Sequence, residues 1–236
     1  MKLDILFFGA HPDDVELGCA GTILKHIALG YKVGIIDLTR GELGTRGTIE
    51  IRTKEAKNAA KRLGVLVREN LSFADGFFIN DKSHQLAIIT IIRKYKPSIV
   101  VLPAITDRHP DHARASQLIL ESCFLSGLEK IKIDSQKSFR PKVVYHYIQD
   151  RYIKPDFVVD ISDFMKKKIE IIKAYQSQFF NPKSKATEPI TYISTAQFLD
   201  AIIFRAAEYG RIIGVNYAEG FTTERFVGVA NLFDLK

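Results

Sequence analysis

The chain has no tryptophan, two cysteines and two methionines, and no apolar run long enough to span a bilayer; each shortage closes off a class of function. Cys19 and Cys123 lie far apart without CxxC spacing, so neither a disulfide framework nor a thiolate zinc cluster is indicated, and both read as small core residues. A transmembrane helix needs roughly 20 consecutive apolar residues. The stretch from Leu3 to Ala10 is far shorter, is interrupted by Asp4 and runs into His11-Pro12-Asp13-Asp14 rather than a small-residue cleavage site. The expectation is a cytoplasmic protein with no membrane partner. No GxGxxG follows that first apolar run, and an acidic turn stands in its place, which argues against a nucleotide-binding Rossmann protein. The densest basic stretches, Lys166 to Lys168 and Lys130 to Lys142, are not interleaved with aromatics as a base-stacking surface would be, so no nucleic-acid partner is expected.

What remains is a chain of 236 residues, 46% hydrophobic, with 34 Lys and Arg against 27 Asp and Glu. That is enough to bury a full core, and the absence of repeats or linker-like stretches predicts a single domain over 1–236. The formal charge of +7 suits an anionic small molecule without selecting one.

Apolar runs alternate with amphipathic stretches. Strands are predicted at Leu3 to Ala10, Tyr31 to Thr39, within Val65 to Phe73, and at Ser98 to Leu102, Val143 to Ile148 and Phe157 to Ile161. Helices are predicted at Gly18 to Leu29, Thr48 to Leu63, from an Asp81 cap to Tyr95, from near Pro110, and at Asp163 to Gln178 and Thr195 to Tyr209. This alternation calls for an α/β, Rossmann-like fold: a mostly parallel sheet with helices on both faces. Phe179 to Ile193 reads as a long loop of lid character.

In such sheets ligands bind at the carboxyl ends of the strands, where the strand order reverses, and strands one and four are neighbours there. His11-Pro12-Asp13-Asp14 follows strand one, and Asp107-Arg108-His109-Pro110-Asp111-His112 follows strand four. Two His/Asp clusters therefore converge, and imidazole with carboxylate is the ligand chemistry of a hydrolytic zinc site. The plainer reading is that Asp13 and Asp14 cap the next helix and that Pro12 shapes the turn, but capping requires neither histidine. His112, in the first turn of its helix, is expected to stay neutral beside the positive dipole end. On geometry alone either aspartate can ligate.

The set Ala10-His11-Pro12-Asp13-Asp14-Val15-Glu16, Gly18, Gly21-Thr22 and His109-Pro110-Asp111-His112 resembles the PIG-L and LmbE-like zinc deacetylases. Leu38 to Gly44, Ile51-Arg52, Glu55-Ala56, Leu63-Gly64-Val65 and Tyr217 to Phe221 extend the resemblance toward the bacillithiol-pathway branch. The resemblance implies His11, Asp14 and His112 as ligands to Zn2+, or to another divalent ion such as Fe2+. It further implies Asp13 as general base and His109 as the oxyanion-stabilising histidine, its ring oriented by Asp111. Arg52 sits about one turn inside its helix, where a cation gains nothing from the dipole, and is assigned to the substrate; Arg108 and Tyr192 are further candidate contacts, ordinary surface charge being the competing reading of Arg108. The implied substrate is a small amino-sugar conjugate, N-acetylglucosaminyl malate, the alternative being deacetylation or amide cleavage of another N-acetylglucosamine conjugate, and the implied assembly is a homo-oligomer.

Overall fold

The computed structural model describes residues 1–180 and 189–234. Seven strands form one sheet in the order β3-β2-β1-β4-β5-β7-β6. They are β1 (Ile5–Gly9), β2 (Val33–Thr39), β3 (Val67–Phe73), β4 (Ile99–Leu102), β5 (Val143–Tyr147), β6 (Phe157–Asp160) and β7 (Ala218–Thr223). The first five run parallel, and β7 is antiparallel to both β5 and β6. Strand β7 has no counterpart in the predicted elements, because Ala-Glu-Gly-Phe-Thr-Thr carries neither an apolar run nor a clear alternation.

Among the described residues six helices cover the sheet: α1 (Asp14–Ala28), α2 (Ile49–Leu63), α3 (Lys82–Tyr95), α4 (Pro110–Leu125), α5 (Met165–Ile172) and α6 (Ala196–Ile213). Successive side chains of a strand point to opposite faces, so β1 divides its residues between two cores. Ile5 and Phe7 pack with Ile23 of α1, Ala59 of α2, Ile171 of α5 and Ile202 of α6. Leu6 and Phe8 pack with Ile88 and Ile92 of α3 and Leu118 and Ile119 of α4. Every residue of β1 and β2 is buried, which is why both read as continuous apolar segments. Of the predicted lid, residues 181–188 lie outside the described residues; Phe179 is buried in the first core, and Tyr192–Ser194 form a 3-10 turn.

Helix α1 starts four residues earlier than its apolar spacing indicates and is kinked at Cys19 (φ −149°, ψ 25°). The kink frees backbone groups inside the helix, and a buried ion pair takes them up. Glu219 of β7 accepts hydrogen bonds from Gly21 N (3.0 Å) and Thr22 N (2.7 Å), while Lys168 of α5 donates to Leu17 O (2.8 Å) and to Glu219 Oε1 (2.6 Å). Gly18 is obligatory here, since a Cβ would stand 2.3 Å from the Tyr147 ring. Lys168→Met would leave Glu219 buried without its cation, and breaking such a pair from one side costs about 3 to 5 kcal/mol. Urea denaturation of the variant is expected to show a loss of that order, and a loss below about 1 kcal/mol would mean that the backbone donors alone hold Glu219.

Candidate metal centre and active site

The turn after β1 is shaped by its own side chains. His11 N donates to Asp14 Oδ2 (2.8 Å), and the Ala10 carbonyl accepts from Thr39 N (2.9 Å) and Thr39 Oγ1 (3.0 Å). Asp13 stands at the helix-capping position but makes no capping hydrogen bond, so capping does not account for it. Its φ of 120° is one that L side chains rarely adopt, a strain on the order of 1–3 kcal/mol that the surroundings must hold in place. Buried Arg52 supplies part of that hold, donating to Gly41 O (3.0 Å), Pro12 O (2.8 Å) and Asp13 Oδ2 (3.2 Å). Gly41 is the residue that lets the guanidinium pass, since a Cβ there would stand 1.8 Å from Arg52 Nη1. Internal acceptors thus explain the unusual place of Arg52 in α2 without a ligand, although it also lines the cavity described below.

The turn after β4 meets this one. His109 caps α4 with Nδ1 accepting from Asp111 N (3.2 Å), and Pro110 takes the first helical position. His112 is held between carboxylates, Nδ1 to Asp107 Oδ2 at 2.6 Å and Nε2 to Asp14 Oδ1 at 3.1 Å. His11 faces Asp14 with Nδ1 (3.5 Å) and Asp75 and Asp111 with Nε2 (2.9 and 3.3 Å). The His11 ring centroid lies 4.6 Å from that of His109 and 5.6 Å from that of His112. Asp111 therefore does not orient His109 in the way expected. Its carboxylate serves His11, Gly76 N (2.8 Å) and Arg114 (2.6 Å), and only its backbone N–H reaches His109. The geometric reason is its place in the first turn of α4, which turns the side chain toward the β3–α3 loop.

Charge in the site follows from burial set against neighbours. Burial works to lower the pKa of His11 and His112, but the carboxylates outweigh it: His11 is raised well above its usual value by Asp111, Asp14 and Asp75, and His112 is raised to about 9 by Asp14 and Asp107. The neutral state expected for His112 from the helix dipole is thus overridden. Asp14 is buried yet held well below the usual carboxylate range, chiefly by His112 and His11. For Asp13 burial wins, raising it to about 7 against the pull of Arg52. His109 is lowered by burial and by the two neighbouring imidazoliums; as Nδ1 accepts a backbone N–H, the proton of the neutral ring is on Nε2.

Two residues that the motifs did not single out, Asp75 and Gln149, complete the site together with Asp107 of the second turn. Asp75, in the loop after β3, fixes His11 and accepts from Leu43 N (2.9 Å). Gln149, just after β5, donates to Asp14 Oδ1 (3.1 Å), and Asp107 ties the same loop down by accepting from Asp150 N (3.0 Å) and Arg151 N (2.7 Å). A cavity of about 320 Å³ opens over the cluster; Asp13, Asp14, His11, His109 and His112 form its floor and Arg108 and Tyr192 part of its rim. Arg108 Nε donates to Asp150 Oδ2 (3.1 Å), its guanidinium lies 4.6 Å from the centre of the Tyr192 ring, and the Tyr192 hydroxyl donates to Asp150 Oδ1 (3.1 Å). His146 does not face the cavity: it is buried behind it, bonded to Ser116 Oγ (2.8 Å) and Glu224 Oε1 (2.9 Å).

The donor set suits a divalent cation. His11 and His112 face four carboxylates between them, those of Asp14, Asp75, Asp107 and Asp111, and a 2+ ion would supply positive charge where these converge. Among the described residues, two sets of groups lie close enough to share an ion: His11, His109 and His112, and His11, Asp75 and Asp111.

A mostly parallel α/β sheet with such a cluster at its switch point is the scaffold of a metal-centred hydrolase. The chain belongs to the PIG-L (GlcNAc-PI de-N-acetylase) family, whose model matches residues 6–123, and it is an N-deacetylase. It is 32% identical to the diacetylchitobiose deacetylase of Thermococcus kodakarensis, across 94% of this chain and 82% of that one. A probable N-acetyl-alpha-D-glucosaminyl L-malate deacetylase 2 from Bacillus anthracis is 26% identical over 78% of this chain and 84% of its own length. Among solved structures, the conserved protein TT1542 from Thermus thermophilus superposes with a TM-score of 0.88 at 35% identity, covering 98% of both chains. No helix of the described residues is long and apolar enough to cross a membrane.

Proposed function

We propose that this chain hydrolyses the acetamido group of an N-acetylglucosamine conjugate, releasing acetate and the free amine. The observation that carries the reading is the convergence of His11, Asp13, Asp14, His109 and His112 on one cavity floor. His11 Nδ1, a carboxylate oxygen of Asp14 and His112 Nε2 would hold the metal, Zn2+ or another divalent ion such as Fe2+. Asp14 stands in this set by the family resemblance, with Oδ1 3.1 Å from His112 Nε2 and Oδ2 3.5 Å from His11 Nδ1. When bound, such an ion lowers the pKa of a coordinated water to about 7 and polarises the amide carbonyl.

The protein's own groups do the rest. Asp13 removes a proton from the attacking water, whose oxygen bonds to the acetyl carbon; the C–N bond breaks and the proton passes from Asp13 to the departing nitrogen. His109 Nε2–H donates to the carbonyl oxygen as negative charge builds there. Asp107, Asp75 and Asp111 keep the imidazoles oriented, and Arg52 keeps Asp13 in its strained backbone conformation while lining the sugar's side of the cavity. Arg108 and Tyr192 meet whatever the sugar carries.

Two conjugates fit the family. N-acetylglucosaminyl malate is favoured by the motif resemblance and the positive charge, and a neutral disaccharide such as N,N'-diacetylchitobiose by the higher identity and coverage of the Thermococcus relative. A free-amine assay with the metal-loaded enzyme on both, and on plain N-acetylglucosamine, tests the reading; absence of amine from all three would overturn it. Metal uptake provides a separate check. Both ligand imidazoles hold a proton more tightly than a free histidine does, His112 up to about 9, so binding must expel protons and affinity is expected to rise with pH up to about 9. Calorimetry in buffers of different ionisation enthalpy reads the proton release directly, and a release of zero at pH 7 would contradict it.

A further inference from the structure

A second concavity, of about 380 Å³, lies beside the catalytic cavity on the surface of α6. Its floor is one stripe of that helix, Phe198, Ile202, Arg205 and Tyr209, spaced by three or four residues and so on one face. Tyr152 and Phe204 stand over it with 75% and 70% of their surface exposed, a large outlay of aromatic area at the mouth of an active site. The two spaces adjoin: Asp150, Tyr192, Phe198, Ile202 and Arg205 line both. A molecule whose acetamido group reaches the catalytic floor can therefore extend over these shared residues toward the groove.

The chemistry of the groove selects what extends there. Its charged side chains are Asp150, Glu208 and Arg205. The Arg205 guanidinium is committed to the carbonyls of Gln149 and Asp150, and Glu208 is paired with Arg211 at 2.8 and 2.9 Å. A dicarboxylate would meet two carboxylates and a cation already engaged by protein oxygens. A neutral ring bearing hydroxyls meets what it needs: aromatic faces for its C–H surfaces, and carboxylate oxygens with lone pairs left to accept from its O–H groups. Resting on the deacetylase reading above, we propose that the α6 groove is an outer subsite for a second, uncharged saccharide ring. The substrate class is then an N-acetylated disaccharide or longer glycan.

The test compares kcat/KM for N,N'-diacetylchitobiose, N-acetylglucosaminyl malate and N-acetylglucosamine in the wild type and in the double variant Tyr152→Ala/Phe204→Ala. Both side chains are exposed and outside the catalytic floor, so the fold and the activity on the monosaccharide should be unchanged. The wild type is expected to favour the disaccharide over both other substrates. The variant should lose about 10-fold in kcat/KM on the disaccharide alone, mainly through KM. Equal use of mono- and disaccharide with no effect of the variant overturns the subsite and leaves the deacetylase reading standing. So does preference for the malate conjugate. If the variant instead changes the particle mass in light scattering while disaccharide KM stays fixed, the patch is a protein interface and the subsite is overturned. Failure of all three substrates removes the deacetylase reading, and the subsite with it.

Discussion

His112→Ala is expected to purify without bound metal and with activity reduced roughly 10³-fold or more, because a site with three protein ligands rarely keeps its ion on two, and both the carbonyl polarisation and the acidified water depend on that ion. The same outcome is expected for His11→Ala and Asp14→Ala. The neighbouring shell supplies the contrast. Asp107→Asn removes only the carboxylate behind His112 Nδ1, at 2.6 Å, and such outer partners typically contribute 10 to 100-fold in metal affinity or activity. Elemental analysis together with the free-amine assay should therefore rank the variants as ligand first, orienting residue second. A full equivalent of metal in His112→Ala would remove that residue from the ligand set.

How much of this was legible in the sequence depended on what buried each residue. Strands β1, β2 and β4 are covered on both faces and advertise themselves as apolar runs. Strand β7 does not, because Glu219 is buried as the cap of a kinked helix and Gly220 by close approach of Tyr209. The first turn of α1 was hidden for a related reason: Asp14 and Glu16 are buried polar residues, and apolar periodicity cannot register them. Helix α6 runs on to Ile213 past Tyr209, with Gly214 at φ 76° closing it. The two His-Pro-Asp turns stood out because histidine is not among the preferred capping residues and because the strand order brings their ends together, although His109 does in fact cap α4. Asp75 carried no such signal, being one aspartate in one polar turn. Arg52 was visible as a misplaced cation, but its partners, the Pro12 and Gly41 carbonyls and Asp13, exist only once α2 has docked against both loops.

The role of Asp13 can be separated from that of Asp14 by one isosteric change. Asp13→Asn keeps the shape, and its amide oxygen can still accept from Arg52, but it removes the base; general-base groups contribute about 10² to 10⁴-fold, so a loss of that size with metal retained is the expected result. Burial lifts the Asp13 carboxyl from 3.8 to about 7, and a bound cation must pull it back down. Since the ionised form is the active one, wild-type activity should rise with pH along a limb at or below pH 7, and Asp13→Asn should lack that limb. The same shift makes a stability prediction of opposite sign. The fold favours protonated Asp13, so its contribution to stability is intact below about pH 4 and is lost as pH climbs through about 7. At pH 8 the metal-free wild type then carries a buried, ionised carboxylate on a residue at φ 120°, a backbone conformation that asparagine tolerates at least as well. Metal-free Asp13→Asn should accordingly melt at a higher temperature than metal-free wild type at pH 8, with the difference closing toward pH 4. A variant that loses its metal while Asp14→Asn keeps it would exchange the roles of the two aspartates. One that keeps both metal and full rate would place the base elsewhere.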